Sequence, residues 1–124
     1  MGLTIKEASE KTGMSTHTIR FYEKEGLLPF LKRDQAGYRI FTDHDLEWLD
    51  FISCLRVTDI PLSELKRIVE LTEEGIHTIP ERKNVLLEHK EKLIAKQEEL
   101  DRAFKKIEVK MKYFDHLEKN AKIH

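Results

Sequence analysis

The chain of 124 residues has room for one domain, or for one small domain and an appended element, because a compact core usually takes about 100 to 150 residues. Its 22 Lys and Arg against 23 Asp and Glu leave a net charge of −1, so a site for a polyanion must be a local patch rather than a global field. A single cysteine rules out an intramolecular disulfide. With no apolar h-region after Met1 and no apolar run of about 18 residues, the expectation is a soluble cytoplasmic protein in a reducing compartment, with no membrane partner.

Residues 1–60 hold the only tryptophan and four of the five glycines, whereas residues 82–119 run without Gly or Pro. A mainly α protein is expected, divided into a globular part over residues 1–75, a linker over 76–83, a long helix over 84–118 and a short tail over 119–124. Thr4 and Glu7 have the spacing of a capping box, and Ile5 and Ala8 supply the buried side of the helix it opens. Gly13 ends that helix. Ser15 can cap a second one, STHTIRFYEKEG, which Gly26 terminates from the C′ position. Two short helices joined by a tight Gly-containing turn make a helix-turn-helix pattern.

At 100° per residue, Ile19 and Tyr22 share one side of the second helix, while Thr16, His17 and Arg20, with Lys24 below them, share another. The first side suits a core. The second suits a DNA groove, with Thr16 and His17 in the first turn placed for base edges and Arg20 placed for phosphate. A helical hairpin with a solvated polar face fits the same stretch. The following segment, LLPFLKRDQAGYRIFT, adds a break at Pro29, a polar turn and a β-prone YRIF with Tyr38 and Ile40 on one face and Arg39 on the other. Between Ser15 and Phe41, five cations (Arg20, Lys24, Lys32, Arg33, Arg39) stand against three acids (Glu23, Glu25, Asp34), a balance of +2. Lys32, Arg33 and Arg39 interleaved with Tyr38 suit phosphate contact with aromatic packing, though an ordinary charged hairpin has the same composition.

The runs TIKEASEKTG from Thr4, STHTIRFY from Ser15, EGLLP from Glu25 and GYRIF from Gly37, followed by a helix, together resemble the amino-terminal half of MerR-family transcription regulators over about residues 3–71. The resemblance implies a winged helix-turn-helix DNA-binding domain and a long C-terminal helix that forms an antiparallel coiled-coil dimer. It also implies binding to a pseudo-palindrome in an over-long promoter spacer, whose distortion lets RNA polymerase engage both promoter elements. By position, Arg20, Tyr22, Tyr38 and Arg39 match family residues that contact the DNA backbone. Thr16 and His17 are expected at the bases from helix position alone.

Thr42 can cap a third helix, and Pro61 separates it from a fourth, capped near Ser63, with Leu65, Ile68 and Val69 as its apolar face. Trp48, Phe51, Ile52 and Leu55 make an i, i+3, i+4, i+7 stripe on the third helix. Cys54 lies at the edge of that stripe beside Phe51, flanked by Glu47 and Asp50. Acidic neighbours disfavour the nucleophilic thiolate, so residue chemistry favours a packed, structural cysteine. Resemblance points the other way. SCLRVTDIPLSEL is similar to the aldehyde- and electrophile-responsive AdhR/NmlR-type branch, in which a cysteine at this place is implicated in sensing. Asp59 stands where that branch usually has Gly, which puts the turn before Pro61 in question.

Leu86, Leu93, Leu100, Ile107 and Phe114 recur every seven residues, with Lys90, Gln97, Phe104 and Met111 between them. This is a heptad seam, apolar throughout at d and apolar at a in its later half. A helix from Asn84 to Glu118 spans roughly 50 Å at about 1.5 Å per residue, so it needs a partner, and a second copy is the simplest. Lys90 and Gln97 are candidates for setting antiparallel alignment.

With ten residues after Phe114, the expected effector is small, covalent or absent. A metal sensor needs clustered soft ligands, whereas the tail offers His116 and His124, and His77 and His89 read as solvated, so no metal or other cofactor is expected. No nucleophile, base and orienter group together and no Gly-rich phosphate loop occurs, so an enzyme is not expected. A coiled-coil adaptor without DNA binding is the remaining class.

Overall fold

The computed structural model describes residues 2–123. Its elements are α1 (Ile5–Thr12), α2 (Thr16–Lys24), β1 (Lys32–Arg33), β2 (Arg39–Ile40), α3 (Asp43–Val57), α4 (Leu62–Glu74), a 3-10 turn (Ile76–Thr78) and α5 (Ile79–Ile123). They fall into two compact units, Met1–Val85 and Leu86–His124.

The first unit is assembled from short helices with strong end signals. Thr4 Oγ1 accepts from Glu7 N at 3.1 Å, and the Glu7 carboxylate accepts from Thr4 N at 3.0 Å, closing the capping box of α1. The Thr4 backbone N–H, and then its hydroxyl, hold the Glu7 carboxyl below its ordinary pKa. Gly13 takes φ 75 at the C-cap, a left-handed conformation that lets the chain turn at once into Ser15, whose Oγ caps α2 by accepting from Thr18 N at 3.1 Å. At the other end of α2, Leu27 N reaches Tyr22 O at 2.9 Å and Gly26 N reaches Glu23 O at 3.0 Å, with Gly26 at φ 77. That pair of bonds is a Schellman stop with Gly at C′, as the sequence suggests.

Helices of eight and nine residues are marginal in isolation, so burial must hold them. Ala8, Met14, Ile19, Tyr22 and Leu27 from the helix-turn-helix meet Phe41, Leu49, Ile52, Ile60, Leu65 and Val69 in one core. Each large side chain removed from water there contributes about 1.5–3 kcal/mol. α1 packs on both α2 and α3. The strands pair antiparallel, Lys32 with Ile40 and Arg33 with Arg39, and a bridge between Leu3 and Phe41 ties the hairpin back to the N-terminal segment.

Thr42 caps α3 with its own capping box, closed by Asp45. The stop of α3 is a second Schellman pattern, Ile60 N to Leu55 O and Asp59 N to Arg56 O, both at 3.0 Å. Asp59 occupies C′ with φ 70, so the turn keeps the left-handed geometry that glycine would favour.

The structure corrects three boundaries, and the first is the far end of α5, which runs to Ile123 through most of the expected tail. α4 is not capped near Ser63: it opens at Leu62 with Pro61 as N-cap and no side-chain cap bond, because proline's missing N–H costs nothing there. α5 opens five residues before Asn84, inside the expected linker. Pro80 lies in its first turn, where an intrahelical N–H is not required, and Thr78 and Arg82 close the junction. Arg82 Nε donates to Thr78 Oγ1 at 2.9 Å and its Nη2 donates to Gly75 O at 2.7 Å.

Candidate nucleic-acid interface

α2 divides as its wheel indicates. Ile19 and Tyr22 are buried, His17, Arg20 and Lys24 are exposed, and Thr16 is half-buried. A long 3.5 Å contact from Arg20 Nη1 to Thr16 Oγ1 keeps the two on one face. Tyr22 stands apart from the other proposed DNA contacts: it is 7% exposed and its ring belongs to the core, which leaves little surface for a ligand.

The wing's turn is organised by Asp34, whose Oδ1 accepts from Tyr38 N at 2.9 Å while its backbone O accepts from Gly37 N at 3.0 Å. This leaves Lys32, Arg33 and Tyr38 outward, Tyr38 at 72% exposure. Arg39 turns toward α2 instead. Its Nε donates to Glu23 Oε1 at 2.6 Å, and Arg33 Nη2 donates to Glu23 Oε2 at 3.2 Å. On the far side, Lys66 Nζ of α4 lies 2.9 Å from Glu25 Oε2. In the linear sequence Glu23 and Glu25 register only as two acids set against the cations of the segment. Partners 10, 16 and 41 residues away give no local signal that these two acids hold α2 between wing and α4.

Cys54 is exposed on α3, and its carbonyl accepts from the Thr58 hydroxyl at 3.2 Å. The fold therefore does not bury the thiol as a packed small residue. Arg56, the nearest cation in sequence, is directed elsewhere, with Nη1 donating to Ile60 O at 2.7 Å. Trp48 and Phe51 pack as a tilted ring pair, centroids 5.6 Å apart, on the neighbouring stripe.

Among the described residues no three His, Cys, Asp or Glu side chains gather as a metal-ligand set. His116 Nε2 lies 3.1 Å from Asn120 Nδ2, and His124 lies outside the described residues. His89 corrects an expectation. It is 4% exposed rather than solvated, on the face of α5 that also carries the partly buried Arg82, Val85, Leu86 and Leu93. Along the rest of α5, Leu100, Phe104, Ile107, Met111 and Phe114 are 51–60% exposed.

A helix-turn-helix whose second helix carries exposed cations, clamped beside a two-stranded cationic wing, defines a DNA-binding regulator of the winged helix-turn-helix class. Residues 3–75 match the family described as MerR HTH family regulatory protein, and residues 46–108 match the one described as MerR, DNA binding. The chain belongs to the MerR family. It is 40% identical, over 92% of its length and 84% of the relative's, to an HTH-type transcriptional regulator of Haemophilus influenzae. It is 33% identical to the regulator AdhR of Bacillus subtilis over 74% of this chain and 66% of that one. Among solved structures it is similar to HiNmlR, a MerR family regulator lacking the sensor domain, crystallised on promoter DNA, with a TM-score of 0.84, 40% identity and coverage of 93% and 91% of the two chains. The NmlR/AdhR branch fits, and these homologues are transcriptional regulators.

Proposed function

We propose that the protein binds a promoter pseudo-palindrome as a homodimer, distorts it for RNA polymerase, and answers reactive aldehydes or related electrophiles through Cys54. The observation that carries the DNA reading is the single cationic surface made by α2 and the wing, supported by the similarity to HiNmlR, which was crystallised on promoter DNA. On this reading Thr16 and His17 meet base edges, and Arg20, Lys32, Arg33, Tyr38 and Arg39 meet phosphates. Tyr22 can add only what its small exposed remnant reaches. Dimerisation falls to the seam of Leu86, Leu93, Leu100, Phe104, Ile107, Met111 and Phe114, whose later members would expose large apolar side chains without a partner.

The sensing step is addition of the Cys54 thiolate to an aldehyde carbonyl carbon. The C=O π bond opens and its oxygen takes up a proton, leaving a hemithioacetal. Support comes from the exposure of the thiol and from the similarity to AdhR.

Two measurements test these roles. Binding to the promoter of its own operon should fall steeply with salt, and Arg20→Ala should weaken binding on all sequences and reduce the salt slope by about 1. Binding that is absent or insensitive to salt would remove the DNA reading. Cys54→Ser should leave promoter affinity intact and abolish the transcriptional response to aldehydes. A variant that still responds returns Cys54 to a structural role, and a response that needs a divalent ion instead marks a metal sensor.

A further inference from the structure

Glu23 is the acid at the centre of the cationic surface. Its Oε1 lies 2.6 Å from Arg39 Nε and its Oε2 3.2 Å from Arg33 Nη2. Arg33 is held a second time, through Nη1 donating to Gly37 O at 2.7 Å. All three side chains keep access to solvent, at 24% for Glu23, 22% for Arg39 and 47% for Arg33. Ion pairs that open to water add little to fold stability, so stability is a weak reason to gather one acid and two cations here. Orientation is a stronger one. The wing ladder is only two residue pairs long, and a ribbon of that length does not hold its own direction. Glu23 crosses from α2 to both strands and links the helix to the wing through one carboxylate.

We propose that Glu23 is a positioning residue that determines specificity in DNA binding, an inference that rests on the regulator reading above. It fixes the two wing guanidinium groups where the phosphates of one duplex geometry meet them. Arg39 bonds Glu23 through Nε, and its Nη1 and Nη2 take no part in that bond, so they remain a fork for a phosphate. At the same time the carboxylate reduces the local charge. Two arginines with Glu23 sum to +1 (2 − 1), whereas the same arginines beside a neutral residue would sum to +2. Sequence-independent affinity follows the number of phosphates neutralised, so withholding one charge lowers indiscriminate binding. A complex in which phosphate geometry also counts loses less, and the difference between the two is specificity.

The test compares the full chain with Glu23→Gln by fluorescence anisotropy. The probes are the promoter of its own operon and a random-sequence duplex of equal length, each over a salt series. For Glu23→Gln, binding to the random duplex should tighten by about threefold to tenfold at low salt, with a slope steeper by about 1, and the promoter-to-random ratio should fall about tenfold. Unchanged ratio and slope would overturn the proposal. If circular dichroism shows Glu23→Gln unfolded, Glu23→Asp takes its place, since it keeps the charge and shortens the reach by one methylene. That variant should keep the wild-type slope but bind the promoter more weakly, and wild-type promoter affinity would overturn the proposal. A wild-type protein that does not prefer its promoter sinks the regulator reading as well, whereas a discriminating wild type matched by its variant sinks this inference alone.

Discussion

Asp59 shows how a single backbone position can hide from a sequence. It sits at C′ of α3 in the left-handed region at φ 70, completing the same pair of capping bonds that Gly26 completes for α2. Gly13 and Gly26 advertise their turns because glycine carries no Cβ penalty there, while an aspartate in the same conformation carries no such mark. The conformation is enforced from outside the residue, by Arg56 bonding Ile60 O and by Ile60 being fully buried. Asp59→Ala should therefore lower stability by about 1 kcal/mol, because alanine lacks the short polar side chain that eases this conformation, and Asp59→Gly should not. Urea unfolding of the three proteins measures the difference, and an alanine variant as stable as wild type would contradict the assignment.

Among the elements, α2 is the clearest case of agreement between local signals and packing. Its cap, its stop and its two faces all follow from positions within one or two turns of each other. What anchors the chain just after it does not. Trp48 Nε1 of α3 donates to Leu27 O at 2.6 Å, fastening the exit of α2 to the third helix across 21 residues. The sequence places Trp48 on an apolar stripe but says nothing of the carbonyl its indole meets. Trp48→Phe keeps an aromatic ring and loses the donor, so it should cost about 1–3 kcal/mol, with faster amide exchange at Leu27 and its neighbours. Equal stability and exchange would mean that the bond holds nothing. The misplaced starts of α4 and α5 have a related cause. Proline reads as a break in a linear chain, yet it is well tolerated at the N-cap, as Pro61 is, or in the first turn of a helix, as Pro80 is, and which case applies depends on what packs around it.

For the molecule as a whole, the largest open demand is made by α5. A seam that leaves Phe104 at 60% and Ile107 at 58% exposure puts large apolar side chains in water. If the proposed dimer uses it, Phe104→Asp with Ile107→Asp should sediment as a monomer and lose tight promoter binding, since a pseudo-palindrome needs two reading heads. A double variant that remains a dimer would move the interface elsewhere. The caps at Thr4, Ser15 and Thr42, the glycine stops of α1 and α2, the heptad spacing and the helix faces were legible from the amino-acid order because each depends on residues within about seven positions of one another, and helical geometry alone converts that spacing into position. The link from Glu23 to Arg33 and Arg39, the tie from Lys66 to Glu25, the exposure of Cys54 and the burial of His89 were settled by folding. These contacts and exposures depend on which surfaces the core brings together, and charge complementarity across 10 to 41 residues leaves no periodic trace in the chain.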